Sequence, residues 1–548
     1  MYNQANRGFC MQGYQHFGVM VDVSRNGVLN HDELIRFVDL IAKIGYDTLE
    51  LYSEDIYEID GEPYFGYLRG AYSKKEIQEM DRYCASKGIE LIPCIQTLAH
   101  FTNPAKLGCF QKLLDIDDIL NVDKPEVYEF IERLIANVRS CFTSKNLNIG
   151  MDEAYNLGYG KHLREYGYEK QGEIIARHLE RVAKIAKKYD FDCHMWGDMF
   201  VRLSNNGHYL DEIDIENFHA PKEVVNRIPS NVSLAYWDYG HEDPHFYDRM
   251  FEFYGEFHHP VWFAGAGYTW RGFCPQNAYS LSLLKASFQS MRKNHVEHYL
   301  LTLWGDNGKE CSLYEALPVI FAASEFAKGN EDISDIARKM KGVLGLSFED
   351  FLLLDKPNLG TVKGEPLGGA NSLSKCLLYS DPLMGVYDLD FKELDPMDFK
   401  TMKIEIEEAG KRNEPYRYVF DMVAALCGVL EHKAYWGIKA HEAYFAQDKK
   451  QLKVLCDECD DIIVSLNVFQ RSFEKLWLKE NKAFGYEIQC ARLGGLKERM
   501  AYAKRRLSAY LKGEIDSMEE LEAKQLPSYR PEGLRVNNYR WSVSTSEI

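Results

Sequence analysis

Eight short apolar runs recur through the first 330 residues, each followed by a segment long enough for a helix. They fall at 17–24, 47–53, 89–96, 147–153, 193–200, 232–240, 261–268 and 299–306. Several are almost continuously apolar, as strands buried on both faces are. The segments between them have helical periodicity. HDELIRFVDLIAKIG sets Leu34, Ile35, Val38, Ile41 and Ile44 on one face, with Gly45 as its stop. SKKEIQEMDRYCASKG offers Ser73 as a cap with Glu76 three residues on, and KPEVYEFIERLIANVRSC carries its proline in the first turn. Strand then helix, eight times over, predicts an α/β chain whose first part is a (β/α)8 barrel of about 320 residues. An open doubly wound sheet is the rival, and it lacks the glycine-rich phosphate loop after the first strand.

The pattern changes after residue 330. The chain divides into a barrel (1–330), a connecting segment with a long loop rich in Gly, Pro, Ser and Leu (331–413), a helical bundle (414–525) and an extended, basic and aromatic tail (526–548). The tail packs back on the barrel or on a partner subunit; the second alternative makes a homodimer. A formal net charge of −18 is a poor match for nucleic acid. No run of about 18 apolar residues stands ready to span a membrane. The 13 cysteines are odd in number and scattered, and Cys456 with Cys459 has no second pair to complete a zinc site. They read as reduced thiols, and with no leader-like start they predict a cytoplasmic protein.

Active sites of such barrels lie at the carboxyl ends of the strands. In strand order those ends carry Asp22 and Arg25; Glu54 and Asp55; Gln96 and His100; Asp152 and Glu153. Then come Trp196 and Asp198; Trp237, Asp238 and Tyr239; Tyr268 and Trp270; Trp304 and Asp306. Carboxylates accept hydrogen bonds from hydroxyls, and indoles cover an apolar ring face, so this rim suits a small polyhydroxylated ring. Taken singly, each has a plainer reading. A strand tryptophan is usually core, Arg25 can merely neutralise acids, His100 can be a satisfied structural histidine, and Asp198 and Asp238 can cap helices.

The fourth run, LNIGMDEAYNLGYG, ends on two adjacent acids. Neighbouring strand residues face opposite ways, so Asp152 and Glu153 converge only if the backbone turns there. Two close carboxylates push one pKa up, which suits a general acid that protonates a leaving oxygen. A metal is disfavoured because no HxH follows the first strand and His100 is the only histidine at the mouths of strands one to four. No metal or other cofactor is expected. An ordinary retaining glycosidase needs two carboxylates about 5 Å apart across the scissile bond, and the seventh strand, VWFAGAGYTWRG, supplies no acid. A substrate N-acetyl group can replace that nucleophile, with one acid on the leaving oxygen and one carboxylate orienting the acetamide.

The stretches GVMVDVSRNG, LIPCIQTLAH and LNIGMDEAYNLGYG together resemble glycoside hydrolase family 20, the β-N-acetylhexosaminidases. LELYSEDIYEIDGEPYFGYLRGAYS, MWGDM and YWDYG are closer to its hexosaminidase D-like branch. The resemblance spans residues 13–325 and implies an exo-acting, retaining enzyme on terminal β-linked GlcNAc or GalNAc of oligosaccharides or glycoconjugates. It implies that Asp152 polarises the acetamide, Glu153 is general acid and base, and Arg25 binds sugar hydroxyls. Trp196, Trp237 and Trp304 wall the ring, and Asp306 binds O4 or O6 where the family often has glutamate. His100 with Glu54, or with Asp55, relays to Glu153. A tyrosine donates to the acetamide oxygen, and Tyr239 and Tyr268 both fit that role. Two departures from the resemblance stand out: no small domain is expected before the barrel, and Met151 replaces a frequent glycine. Rival readings are a double-displacement glycosidase on non-acetylated sugars and an inactive sugar-binding barrel.

Overall fold

The computed structural model describes residues 11, 13–527, 534 and 538–544. Eight parallel strands close into a barrel: β1 (His16–Asp22), β2 (Thr48–Ser53), β3 (Glu90–Ile95), β4 (Asn146–Asn148), β5 (Asp192–Trp196), β6 (Val232–Trp237), β7 (Val261–Ala266) and β8 (His298–Leu303). Each strand pairs with its neighbours in sequence, and β1 closes on β8. The closed sheet excludes the open doubly wound rival. The seam between β3 and β4 is narrow, with Cys94 paired to Asn148. The helix signals hold locally: Gly45 ends its helix at φ 107°, Ser73 and Glu76 form a reciprocal capping box, and Pro125 opens the helix Pro125–Cys141.

Side-chain alternation sorts each strand into two layers. Phe17, Val19 and Val21 of β1 and Tyr299, Leu301 and Leu303 of β8 pack outward against the helices. Met20, Leu300, Ala235, Trp196 and Trp304 fill the barrel interior. Trp262 closes the floor, stacked on His16, His194 and His298 at centroid distances of 4.7, 4.3 and 4.7 Å. The same alternation that buries Met20 brings Asp22 to the opposite mouth, and Trp196, Trp237 and Trp304 arrive there in the same way.

Beyond the barrel the chain is mostly helical. The segment 354–390, which has a loop's composition, holds the buried helix Leu373–Tyr379 and a small hairpin pairing Thr361–Val362 with Glu365–Pro366. Helices Phe399–Arg412, Arg417–Lys433, Lys449–Glu480 and Tyr486–Lys512 form the bundle. Most of the tail lies outside the described residues. Its described portion makes one short helix, Tyr539–Val543, docked on this chain: the Tyr539 ring lies 4.8 Å from that of Tyr379 and 4.8 Å from the Arg492 guanidinium. Among the described residues no helix is long and apolar enough to cross a membrane.

Candidate active site

The adjacent acids converge because the chain turns immediately after β4. Gly150, Met151 and Glu153 take φ of 70°, 72° and 54°. Left-handed backbone at two non-glycine residues costs on the order of 1–3 kcal/mol each, and such strain persists only where surrounding structure enforces it. Gln96 of the β3 loop enforces it here. Its carbonyl oxygen accepts from Met151 N (3.3 Å), and its amide donates to Asp152 Oδ1 (2.9 Å) and to the Tyr52 hydroxyl (3.0 Å). A Cβ at Gly150 would lie 2.1 Å from that carbonyl oxygen, so only glycine fits.

Two groups set the electrostatics around the pair. His100 Nε2 is 3.0 Å from Asp152 Oδ2 and 3.7 Å from Glu153 Oε2, and its Nδ1 is 3.9 Å from Glu54. Burial disfavours the imidazolium, but Asp152 and Glu54 outweigh it and raise His100 to about 10. Burial would likewise raise Asp152, but the charge and hydrogen bond of His100 hold it below the usual carboxylate value. The relay expected to run from His100 to Glu153 is therefore primarily an ion pair with Asp152. Asp55 is taken by Arg69 at 3.0 Å, which leaves Glu54 as the acid on the far side of His100.

Asp198 is not on the cavity wall, contrary to expectation. It begins the helix Asp198–Ser204 and lies fully buried behind Glu153, whose backbone N–H donates to Asp198 Oδ2 at 3.1 Å. Burial, reinforced by Asp152 and Glu153, pushes Asp198 up to about 7. The carboxyl lifted by its neighbours thus stands behind the adjacent pair.

The sign of the pH dependence follows. Stabilisation by the His100 imidazolium is fully present below the free value of 6.5 and is lost as pH rises through about 10. The Asp152 contribution is present above 3.8 and is lost as pH falls. NMR of the His100 ring is expected to show a charged imidazole up to about pH 9. In Asp152→Asn its titration should drop towards or below 6.5, because burial then acts with less opposition. A native midpoint near 6.5 would contradict the pairing.

A cavity of about 460 Å³ opens over these groups, lined among others by Arg25, Asp152, Glu153, Trp196, Trp237, Tyr239, Tyr268, Trp304 and Asp306. Arg25 stands 3.2 Å from Asp22 and 3.4 Å from Glu54, with its guanidinium 4.6 Å from the Tyr52 ring and 5.0 Å from Trp304. Burial opposes its charge, and Tyr52, Asp22, Glu54 and Asp306 hold it protonated. Trp196 and Trp304 are tilted by 49° at 5.9 Å, while Trp237 stacks on Tyr239 at 5.1 Å. Glu54 and His100 face a neighbouring polar cavity of about 380 Å³ that shares Arg25 and Asp306.

The two candidate tyrosines differ in their hydroxyl partners. The Tyr268 hydroxyl donates to the Tyr239 carbonyl, so its proton is already used. The Tyr239 hydroxyl accepts from Trp304 Nε1 at 2.9 Å and also has Thr302 beside it.

Sequence reasoning missed Tyr155 and Arg202. The Tyr155 hydroxyl donates to Glu153 Oε1 at 2.5 Å, and Arg202 lies 4.3 Å above the Tyr155 ring and 3.5 Å from Asp198. The i, i+4 spacing of Asp198 and Arg202 was the available signal.

The bundle holds two of the mouth loops. After β1, Lys482 N donates to Val28 O (2.7 Å) and Asn30 N to Glu480 O (3.0 Å), which clamps the loop that carries Arg25. After β8, Arg492 donates to Asn307 O (2.6 Å) and Gln489 to Gly308 O (2.9 Å), beside Asp306.

Comparison with known proteins bears on this arrangement. Residues 62–243 match the family described as glycosyl hydrolase family 20, catalytic domain, and residues 349–539 match the glycoside hydrolase 20C C-terminal domain. The chain belongs to glycoside hydrolase family 20. The catalytic match contains His100, Asp152, Glu153, Trp196, Trp237 and Tyr239; Arg25, Tyr268, Trp304 and Asp306 rest on geometry. Human hexosaminidase D is 25% identical over 209 residues, 36% of this chain and 40% of that protein. The Bos taurus hexosaminidase D is 25% identical over 217 residues, 37% of this chain and 56% of that one. The chain thus spans about half the length of these relatives or less. The structure of a β-N-acetylhexosaminidase from Bacteroides fragilis NCTC 9343 aligns over 62% of this chain and 71% of its own, with 17% identity and a TM-score of 0.46.

Proposed function

We propose that this family 20 protein is an exo-β-N-acetylhexosaminidase that removes terminal β-linked GlcNAc or GalNAc from glycans, with the substrate's own acetamide as nucleophile. The observation that carries this reading is the Asp152–His100 pair beside Glu153 in a tryptophan-lined cavity. An ionised Asp152 accepts from the acetamide N–H and makes its carbonyl oxygen more nucleophilic. Tyr239 donates to that oxygen and aligns it with the anomeric carbon. Glu153, held by Tyr155, protonates the leaving oxygen, and an oxazolinium ion forms as the glycosidic bond breaks. Glu153 then takes a proton from the water that opens the oxazolinium, which retains the β configuration. Arg25 and Asp306 bind ring hydroxyls at the far side, and the indoles exclude water from the reacting face. Asp198 supports the turn at Glu153 from behind. No step calls for a metal or organic cofactor.

Support for the wider assignments is of a different kind. The 12 described cysteines are free thiols, which fits a reducing, cytoplasmic setting. The clamped loops support reading the helical domain as a unit that shapes the barrel mouth.

The test is turnover of an aryl N-acetyl-β-glucosaminide against the matching aryl β-glucoside. Hydrolysis of the first alone, with strong inhibition by a thiazoline analogue of the oxazoline, supports the reading; efficient hydrolysis of the glucoside overturns it. Tyr239→Phe is expected to lower kcat/KM by roughly 10²–10³, the usual cost of losing one donor to developing charge, with a smaller change in KM.

A further inference from the structure

The segment between Glu153 and the helix Gln171–Lys188 presents tyrosines to solvent: Tyr155, Tyr159 and Tyr168 are 47%, 45% and 72% exposed. Single exposed aromatics are ordinary, but these three line one groove of about 360 Å³ together with Lys170 and Arg202. Arg202 also lines the catalytic cavity, and the hydroxyl of Tyr155 holds Glu153, so groove and cavity adjoin at the proposed acid. The other neighbouring cavity shares Arg25 and Asp306 with the catalytic cavity and is lined by polar groups, Glu54 and His100 among them, with no tyrosine.

We propose that the Tyr155–Tyr159–Tyr168 groove is a binding platform for the leaving-group side of the substrate, and that it takes a carbohydrate chain of two or more sugar units. The inference rests on the assignment of Glu153 as general acid. The acid must face the glycosidic oxygen, so the leaving group departs past Glu153 and Tyr155, towards Arg202. Its next units then meet Tyr159 and Tyr168. Tyrosine faces suit the apolar faces of sugar rings, and the ammonium of Lys170 and the guanidinium of Arg202 suit their hydroxyls. Met199 and Leu203 are the aliphatic wall residues, too little apolar surface for a lipid chain. The acid end thus reads a chain, while the Arg25–Asp306 end takes one terminal residue.

The experiment compares an aryl N-acetyl-β-glucosaminide with di- to tetrasaccharides ending in β-1,3-, β-1,4- or β-1,6-linked N-acetylglucosamine. Within the preferred linkage, kcat/KM should rise from di- to trisaccharide. The double variant Tyr159→Ala/Tyr168→Ala should abolish that rise and increase KM on the tetrasaccharide roughly three- to tenfold. Its kinetics on the aryl glycoside should stay within about twofold of native, which also reports an intact fold. Phenylalanine at both positions should restore the native response. Unchanged tetrasaccharide KM in the alanine variant overturns the proposal, as does an equal loss on both substrate types. So does selective loss on a glycopeptide of one sugar, which would mark a peptide-binding surface. Direct binding of the tetrasaccharide to Glu153→Gln, with and without the tyrosine changes, reads the platform even if turnover fails. Failure of the hydrolytic assignment is thereby separated from failure of the groove.

Discussion

Replacing Glu153 with glutamine is expected to lower kcat/KM on an N-acetylhexosaminyl oligosaccharide by about 10²–10⁴, the range general acid catalysis supplies. The change keeps the side chain's shape and its acceptor for the Tyr155 hydroxyl. It removes only the proton that a poor leaving group needs. The loss should be much smaller in the first step on an aryl glycoside with an acidic phenol, since that leaving group departs without a proton. A steady-state comparison across phenols of rising pKa reads this directly: native enzyme should show a shallow dependence and the variant a steep one. Equal slopes would remove Glu153 from the acid role.

Asp152→Asn should be as damaging for a different reason. The carboxylate has two dependants: the His100 imidazolium at 3.0 Å and the acetamide it is proposed to orient. Asparagine can still accept from Gln96, yet it removes the partner that keeps the buried His100 charged. Breaking one side of a buried ion pair costs roughly 3–5 kcal/mol, so a lower Tm is expected alongside a fall in kcat of about 10² or more. The two effects separate with pH. His100 in the variant should lose its proton on burial, so the stability deficit should be smaller at alkaline pH, where native enzyme also loses the pair. A deficit that grows through pH 9 to 10 would contradict the assigned charges.

Much of this site could be read in the residues because barrels convert sequence order into position. Each apolar run ends where polarity begins, and that end is a mouth position, so Arg25, Asp152, Trp237 and Asp306 were found without coordinates. What escaped depends on contacts with no local signature. Asp198 looks like any other strand-end acid, and only the turn at Glu153 puts it behind the wall. Tyr239 and Tyr268 are equivalent on paper, because their hydroxyl partners, an indole N–H for Tyr239 and a carbonyl for Tyr268, are set by the fold. The clamp on the Arg25 loop joins residues 28–30 to 480–482, a separation across which no periodicity speaks. The buried helix Leu373–Tyr379 lies in a stretch whose glycines and prolines read as loop. There tertiary burial overrode composition.

The central claim is that the bond-forming oxygen belongs to the substrate's acetamide. It is tested most directly with aryl glycosides whose 2-N-acetyl group carries none, one, two or three fluorines, because each fluorine weakens that oxygen as a nucleophile while barely changing its size. The account predicts that log kcat/KM falls steeply and linearly with the electron-withdrawing power of the substituent, by orders of magnitude across the series. A flat dependence would contradict it and point instead to a nucleophile supplied by the protein.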